Sequence, residues 1–233
     1  MKSFGALLGK ETQALFSSPI AYALIAVLLL LMGYVFTTIL FVNKVATLVH
    51  IFFQMSTLFL LMVPVITMRL VAEERKTGTL EVLLTAPVRE IEIVLAKFAA
   101  SMILIVAMLG LSAGDAVVLA IYGHPDWGPI YTGYLGLLLF AGALVAVGLL
   151  ISSLTSNQIV AAVVSLGIFL LLWIIDSLGY LLPDPFDTLS ANLSLLAHFT
   201  PFAVGSVFLA DIGFFLSVIQ VGLFLSVRAL ARR

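Results

Sequence analysis

The chain has 233 residues, of which 63% are hydrophobic and 10% charged, with a formal net charge of −1. A soluble domain is about half apolar and about a quarter charged, so this composition excludes an ordinary water-soluble protein and indicates an integral membrane one. There is no cysteine, hence no disulfide, thiolate or Cys-based metal site, and His50, His124 and His198 form no ligand pair at i,i+3 or i,i+4.

The opening segment, MKSFGALLGKETQALFSS, is not a cleavable signal peptide, because polar residues interrupt any short apolar core. Phe4, Leu7, Leu8 and Leu15 share one helical face, with Lys10 and Glu11 placed elsewhere, which predicts a helix lying in the membrane interface. Ser18 and Pro19 then suit the cap and first position of the first span. A helix crosses the hydrocarbon core with about 20 apolar residues. Six runs qualify: 19–42, 50–68, 93–122, 131–154, 159–182 and 208–227. They are continuous and too long for barrel strands. The predicted fold is therefore an all-α membrane protein with six transmembrane helices in a single transmembrane domain spanning 1–233.

Short cytoplasmic loops are enriched in Lys and Arg. With the N-terminus inside, Lys2, Lys10, Arg69, Arg75, Lys76, Arg89, Lys97, Arg228, Arg232 and Arg233 fall on the cytoplasmic side, and Lys44 alone falls outside. Asp126, Asp176, Asp184 and Asp187 fall outside, with Asp211 near that interface. Both termini are then cytoplasmic, in a bacterial inner membrane. No internal repeat supports an inverted-repeat transporter. Between the fifth and sixth spans, Leu189, Leu193, Leu196 and Phe199 fall near one face, Asp187 can cap, and Pro201 ends the run. That predicts a short helix at the outer surface.

Ionisable residues inside spans are costly and functional by default. Asp115, in the third span, is the clearest: it pairs structurally, lines a pathway, or is neutral at depth. Asn157 and Gln158 read as turn residues. Gly110 and Gly114 form a G-x-x-x-G pair that allows close helix approach. The same run mimics a G-x-S-x-G elbow around Ser112, but His50, His124 and His198 all map to span ends or outer loops, which counts against a serine hydrolase. Glu73-Glu74 fails the E-E-x-x-x-R pattern of intramembrane metalloproteases, because the sixth position is Gly78.

Ten charged residues crowd between Arg69 and Lys97. All but Lys97 occupy the sizeable cytoplasmic loop, 69–92, between the second and third spans. Gly78 breaks the chain, Leu80, Leu83 and Leu84 form an apolar stripe beside Glu81, and Pro87 closes the segment. Two readings stay open. One is a topology-fixing loop with its stripe on lipid. The other is a docking helix that enters a groove on a partner, with charges setting register. Acidic residues mixed with the basic ones favour docking, since topology alone needs only Lys and Arg.

The run EERKTGTLEVLLTAPV resembles the coupling segment of type-2 ABC-transporter permeases, through Glu73, Glu74, Arg75, Gly78, Thr79, Glu81, Leu83, Leu84 and Pro87. The resemblance extends over the N-terminal helix, the six spans and the ending SLLAHFTPFAVGSVFLADIGFFLSV, which is similar to the gliding-motility-associated branch, near the nitrous-oxide-reductase maturation permeases. It implies a half-transporter: a dimer of this chain with a second copy or a related permease, driven by separate cytoplasmic ABC ATPase subunits. It also implies an ATPase-coupling segment comprising Glu73, Glu74, Arg75, Thr77, Gly78, Thr79, Leu80, Glu81, Leu83, Leu84 and Pro87. The chain has no G-x-x-x-x-G-K-[ST] loop to cradle phosphates, so it is not itself an enzyme. ATP and Mg belong on the partner, and the other contact is membrane lipid, not nucleic acid. An ATP-independent transporter or channel using Asp115, and a non-transporting membrane scaffold, are the other expectations.

Overall fold

The computed structural model describes residues 2–43, 47–85, 88–123, 125–179, 190 and 192–231. Its elements are α1 (Lys2–Phe16), α2 (Pro19–Thr37) continued by a π-turn (Thr38–Asn43), α3 (Val49–Thr67), α4 (Ala72–Thr77), α5 (Thr79–Thr85), α6 (Glu90–Tyr122), α7 (Trp127–Leu154), α8 (Gln158–Gly179), α9 (Leu195–Ala203) and α10 (Leu209–Ala231). No strand occurs among the described residues. Six helices, α2, α3, α6, α7, α8 and α10, are long and apolar enough to cross a membrane. The chain is a multi-pass integral membrane protein of all-α class, as its composition predicts. Lys44, Pro87, His124, Asp184, Asp187, Leu189, Arg232 and Arg233, which entered the sequence reading, lie outside the described residues.

Helix ends follow local chemistry. Ser18 Oγ accepts from the Ile20 N–H at 3.4 Å ahead of Pro19, so the predicted cap of α2 is present. α6 and α7 each begin about a turn before their apolar runs. Asp126 Oδ1 caps α7 by accepting from the Gly128 N–H at 3.0 Å. Glu92 Oε2 accepts from the Arg89 N–H at 3.3 Å at the start of α6. Polar first turns belong to the helix though not to the apolar run. Asn157, read as a plain turn residue, caps α8: its Oδ1 accepts from Ile159 N–H at 2.9 Å.

α3, α6 and α7 form the centre. Phe52, Met55 and Phe59 of α3, Leu104, Ile105 and Met108 of α6, and Leu137, Phe140 and Leu144 of α7 belong to one buried cluster and are all essentially inaccessible. α2, α8 and α10 surround them and turn Leu30, Tyr34, Val163, Leu171 and Phe224 outward. Hydrocarbon is as apolar as these side chains, so helix association there depends on close packing of small residues. α7 supplies them. A Cβ on Gly136 would overlap Phe202 of α9, and one on Gly148 would overlap Thr67 of α3. On α10, a Cβ at Gly222 would sit 3.0 Å from the Ala146 backbone. Gly136→Ala is expected to lower stability by about 1–3 kcal/mol through this overpacking, read as a lower thermal midpoint of the purified chain in mild detergent. Gly110 and Gly114, the predicted packing pair, face outward, and a Cβ on either would meet nothing within 4 Å, so they mediate no helix approach among the described residues. Small residues mark close approach only where a neighbouring element crosses them.

α9 also differs from expectation. The described helix is capped by Ser194, whose Oγ accepts from the Ala197 N–H at 3.1 Å. Pro201 lies within the helix rather than ending it. Its buried face is Leu195, Phe199, Phe202 and Ala203, not a stripe containing Leu193, which is exposed. The Thr132 hydroxyl of α7 donates to the Phe202 carbonyl at 2.7 Å, and Phe140, Phe199, Phe202 and Phe215 pack around the joint. α9 is thus docked on the bundle.

Candidate functional site

The charged segment folds as two short helices at one end of the bundle, beside α1. α4 has six residues and no side-chain cap of its own, so its first N–H groups need partners from elsewhere. Ser152, near the end of α7, provides them. Its Oγ accepts from Val71 N–H at 3.2 Å and Ala72 N–H at 3.1 Å, and donates to the Met68 carbonyl at 3.3 Å. Gly78 ends α4 at φ +73°, a left-handed conformation that favours glycine, and α5 starts at the next residue. Hydroxyls brace this corner. Thr77 Oγ1 donates to the Glu73 carbonyl at 3.0 Å and lies 2.9 Å from Thr79 Oγ1, which donates to the Glu74 carbonyl at 3.3 Å.

The stripe predicted to meet lipid or a partner faces the protein's own interior. Leu80 is fully buried among Leu70, Val71, Val94, Leu149 and Leu230. Leu83 packs against the cluster of Leu7, Ile93 and Ala96. The side chain of Leu84, like Pro87, lies outside the described residues. Exposed at the tip are Lys76, Thr77, Gly78, Thr79 and Glu81.

Behind the tip lies a ring of alternating charge. Lys97 Nζ of α6 sits 3.1 Å from Glu11 Oε2 of α1 and 2.8 Å from Glu74 Oε2 of α4. Lys10 closes the ring at 3.4 Å from Glu11 Oε1 and 3.3 Å from Glu74 Oε1. Lys97 is 1% and Glu11 7% exposed, so this is a buried network tying three helices together. Glu11 shares the buried face with Leu7, four residues earlier, rather than lying on another face as expected; that face meets α6, not lipid. Burial opposes the charge on Lys10, but Glu74 and Glu11 outweigh it and raise its pKa above the ordinary lysine range. A raised lysine pKa adds stability that is fully present below the ordinary value and is lost only as pH rises through the raised one. Lys10 therefore introduces no pH dependence near neutrality. Beside the ring, Arg69 Nε lies 3.0 Å from Glu73 Oε2, and Arg69 Nη1 donates to Ser18 Oγ at 3.4 Å.

Of the predicted coupling residues, Glu73, Glu74, Arg75, Thr77, Gly78, Thr79, Leu80, Glu81 and Leu83 are thus gathered at one junction, with different exposures. Sequence reasoning missed Lys97, Glu11 and Ser152. The signal for Lys97 was a lysine inside an apolar helical run, IVLAKFAASM, without an acidic neighbour at i±3 or i±4 beyond that run.

The other candidates lie away from the junction. Asp115 of α6 is half-buried and forms no ion pair among the described residues. Ser112 is bonded to its own helix, donating to the Leu109 carbonyl at 2.8 Å, with Tyr134 Oη 3.3 Å away. At the opposite end, Asp211 pairs with His198: Oδ1 lies 2.7 Å from Nδ1, and the imidazole stacks on Phe214. That joins α9 to α10 where a lone interfacial aspartate was expected.

Residues 42–231 match the family model described as ABC-2 family transporter protein. The match is to the family as a whole rather than to one branch of it. No curated protein matches the chain.

Proposed function

Because the chain belongs to the ABC-2 transporter family, we propose that it is the transmembrane permease subunit of an ATP-driven exporter. Two such subunits, identical or paired with a related one, form the pathway. Separate cytoplasmic ATPase subunits bind ATP and Mg and engage the exposed tip of α4–α5. Both termini are cytoplasmic, in a bacterial inner membrane; the ten-to-one partition of Lys and Arg supports this orientation. The ending SLLAHFTPFAVGSVFLADIGFFLSV supports placement near the gliding-motility-associated branch.

The observation that carries the proposal is the division of the loop into an outward tip and an inward base. Lys76, Thr79 and Glu81 are exposed at the tip, while Leu80, Glu74 and the start of α4 are fixed to α6, α1 and α7. When the ATPase dimer closes, a push on the tip passes through Ser152 to α7, through Lys97 to α6, and through Glu11 to α1. A solvated topology loop needs no such anchoring.

The test is to purify the chain from its native membrane in mild detergent. A stoichiometric P-loop ATPase is expected to accompany it. The double charge reversal Lys76→Glu with Glu81→Lys alters only exposed side chains and is expected to lower ATPase retention on the order of tenfold, since interface charges set encounter and register. Absence of any ATPase from the wild-type preparation, or full retention by the reversal, would overturn the proposal.

A further inference from the structure

The same end of the bundle holds a cleft of about 280 Å³ between α1, α2, the end of α3 and α6. Its wall changes character with depth. Its lining includes Ser18, Arg69 and Glu73, the last two partly exposed, and Ala21 and Leu24 of α2 and Leu104 of α6, of which Ala21 and Leu104 are buried. At 1.5 Å of rise per residue, Leu24 lies about 9 Å beyond Ser18 and Leu104 about 10 Å beyond Lys97 along their helices. The cleft therefore runs from a charged rim into an apolar throat, the profile of an amphiphile standing in one leaflet.

The rim carries its own charge code. Lys97, Glu11 and Glu74 also border the cleft but are closed on one another. Arg69 and Glu73 are paired with each other at 3.0 Å as well, but their side chains stay 36% and 41% exposed, so both keep polar atoms accessible to a headgroup. An anionic headgroup would satisfy Arg69 and add negative charge beside Glu73. A purely cationic one would do the reverse. A headgroup bearing both a phosphate and an N–H ammonium matches both, with the phosphate on the guanidinium and the ammonium donating to the carboxylate. A quaternary amine of the same charge has no N–H to donate.

We propose that this cleft is a binding site for an amine-bearing zwitterionic phospholipid of the surrounding membrane, its headgroup held by Arg69 and Glu73 and its upper acyl chain seated against Ala21, Leu24 and Leu104. The site lies wholly within one subunit and does not depend on ATPase coupling, so it is tested on the chain alone.

The experiment is native mass spectrometry of the purified full-length chain, titrated separately with dioleoyl phosphatidylethanolamine, phosphatidylcholine and phosphatidylglycerol. The wild type is expected to retain phosphatidylethanolamine roughly fivefold better than either of the others, the factor one net hydrogen bond supplies. Glu73→Gln should abolish that preference. Ala14→Trp, on an exposed position of α1 that lines the cleft, should abolish it by filling the mouth without disturbing the core. Both variants are first checked for a wild-type elution profile and thermal midpoint, and Ala14→Leu replaces any that fails. A preference seen in the wild type and lost in both variants supports the site. No preference in the wild type, or its persistence in either folded variant, overturns it.

Discussion

Lys97→Met is expected to destabilise the protein by about 3–5 kcal/mol, the usual cost of removing one partner from a buried ion pair. The cause is what remains. Glu11 Oε2 and Glu74 Oε2, both within 3.1 Å of the Lys97 ammonium, would face each other with Lys10, 56% exposed, as the remaining cation of the ring. Two close carboxylates cannot both stay ionised without a counter-charge. α1 and α4 would then be driven off α6. The check is the thermal midpoint of the purified chain, followed by the triple variant Lys97→Met, Glu11→Gln, Glu74→Gln. Removing the whole ring leaves no uncompensated charge, and well-packed neutral replacements of buried ionic clusters are often close to neutral, so the triple variant should recover most of the loss. An unchanged midpoint in the single variant would show that the ring contributes no cohesion. The same geometry alters a simple test of coupling. Alanine at Glu73 and Glu74 together would not report on partner docking alone, because Glu74 holds Lys97.

How much of this was readable beforehand divides along physical lines. The spans were legible because each is a long apolar run that lipid requires to be helical. Gly78 was legible as a break, since its neighbours favour helix and its own φ is left-handed. What covers a face was not legible. Periodicity places Leu80 and Leu83 on one side of α5 but cannot say that Val94, Leu149 and Leu230, distant in sequence, close over them. Lys97 and Glu11 are 86 positions apart, so neither predicts the other. Gly110 and Gly114 carry the G-x-x-x-G spacing, yet it is Gly136 and Gly148 of α7, twelve residues apart and in no such motif, that have a side chain crossing them. The motif states that close approach is permitted; the fold decides where it happens. Asp211 was read as a lone interfacial residue for the same reason, its partner His198 being 13 positions away.

The division between anchor and tip predicts opposite behaviour for adjacent residues. Leu80→Ala should destabilise the chain by about 2–4 kcal/mol with no ATPase present, because it removes a fully buried side chain and leaves a cavity among Leu70, Val94, Leu149 and Leu230. Glu81→Ala, one residue on and exposed, should leave stability within about 0.5 kcal/mol of wild type. In reconstituted complexes the order changes meaning. Glu81→Ala should weaken ATPase retention while an ATPase that does bind still drives the permease. Leu80→Ala should retain the ATPase through the intact tip yet lose stimulation of ATP turnover by the membrane subunit, since the tip then moves without carrying α6 and α7. Thermal midpoints measured beside ATPase retention separate the two. If Leu80→Ala left the midpoint unchanged and abolished retention, the apolar stripe would be the docking surface after all, and the inward packing of Leu80 would have to give way when the partner binds. Because Leu80 is enclosed by residues from α6, α7 and α10, exposing it would require breaking the contacts that make the loop stiff enough to transmit force. A loop that docks by its exposed polar tip keeps both properties at once.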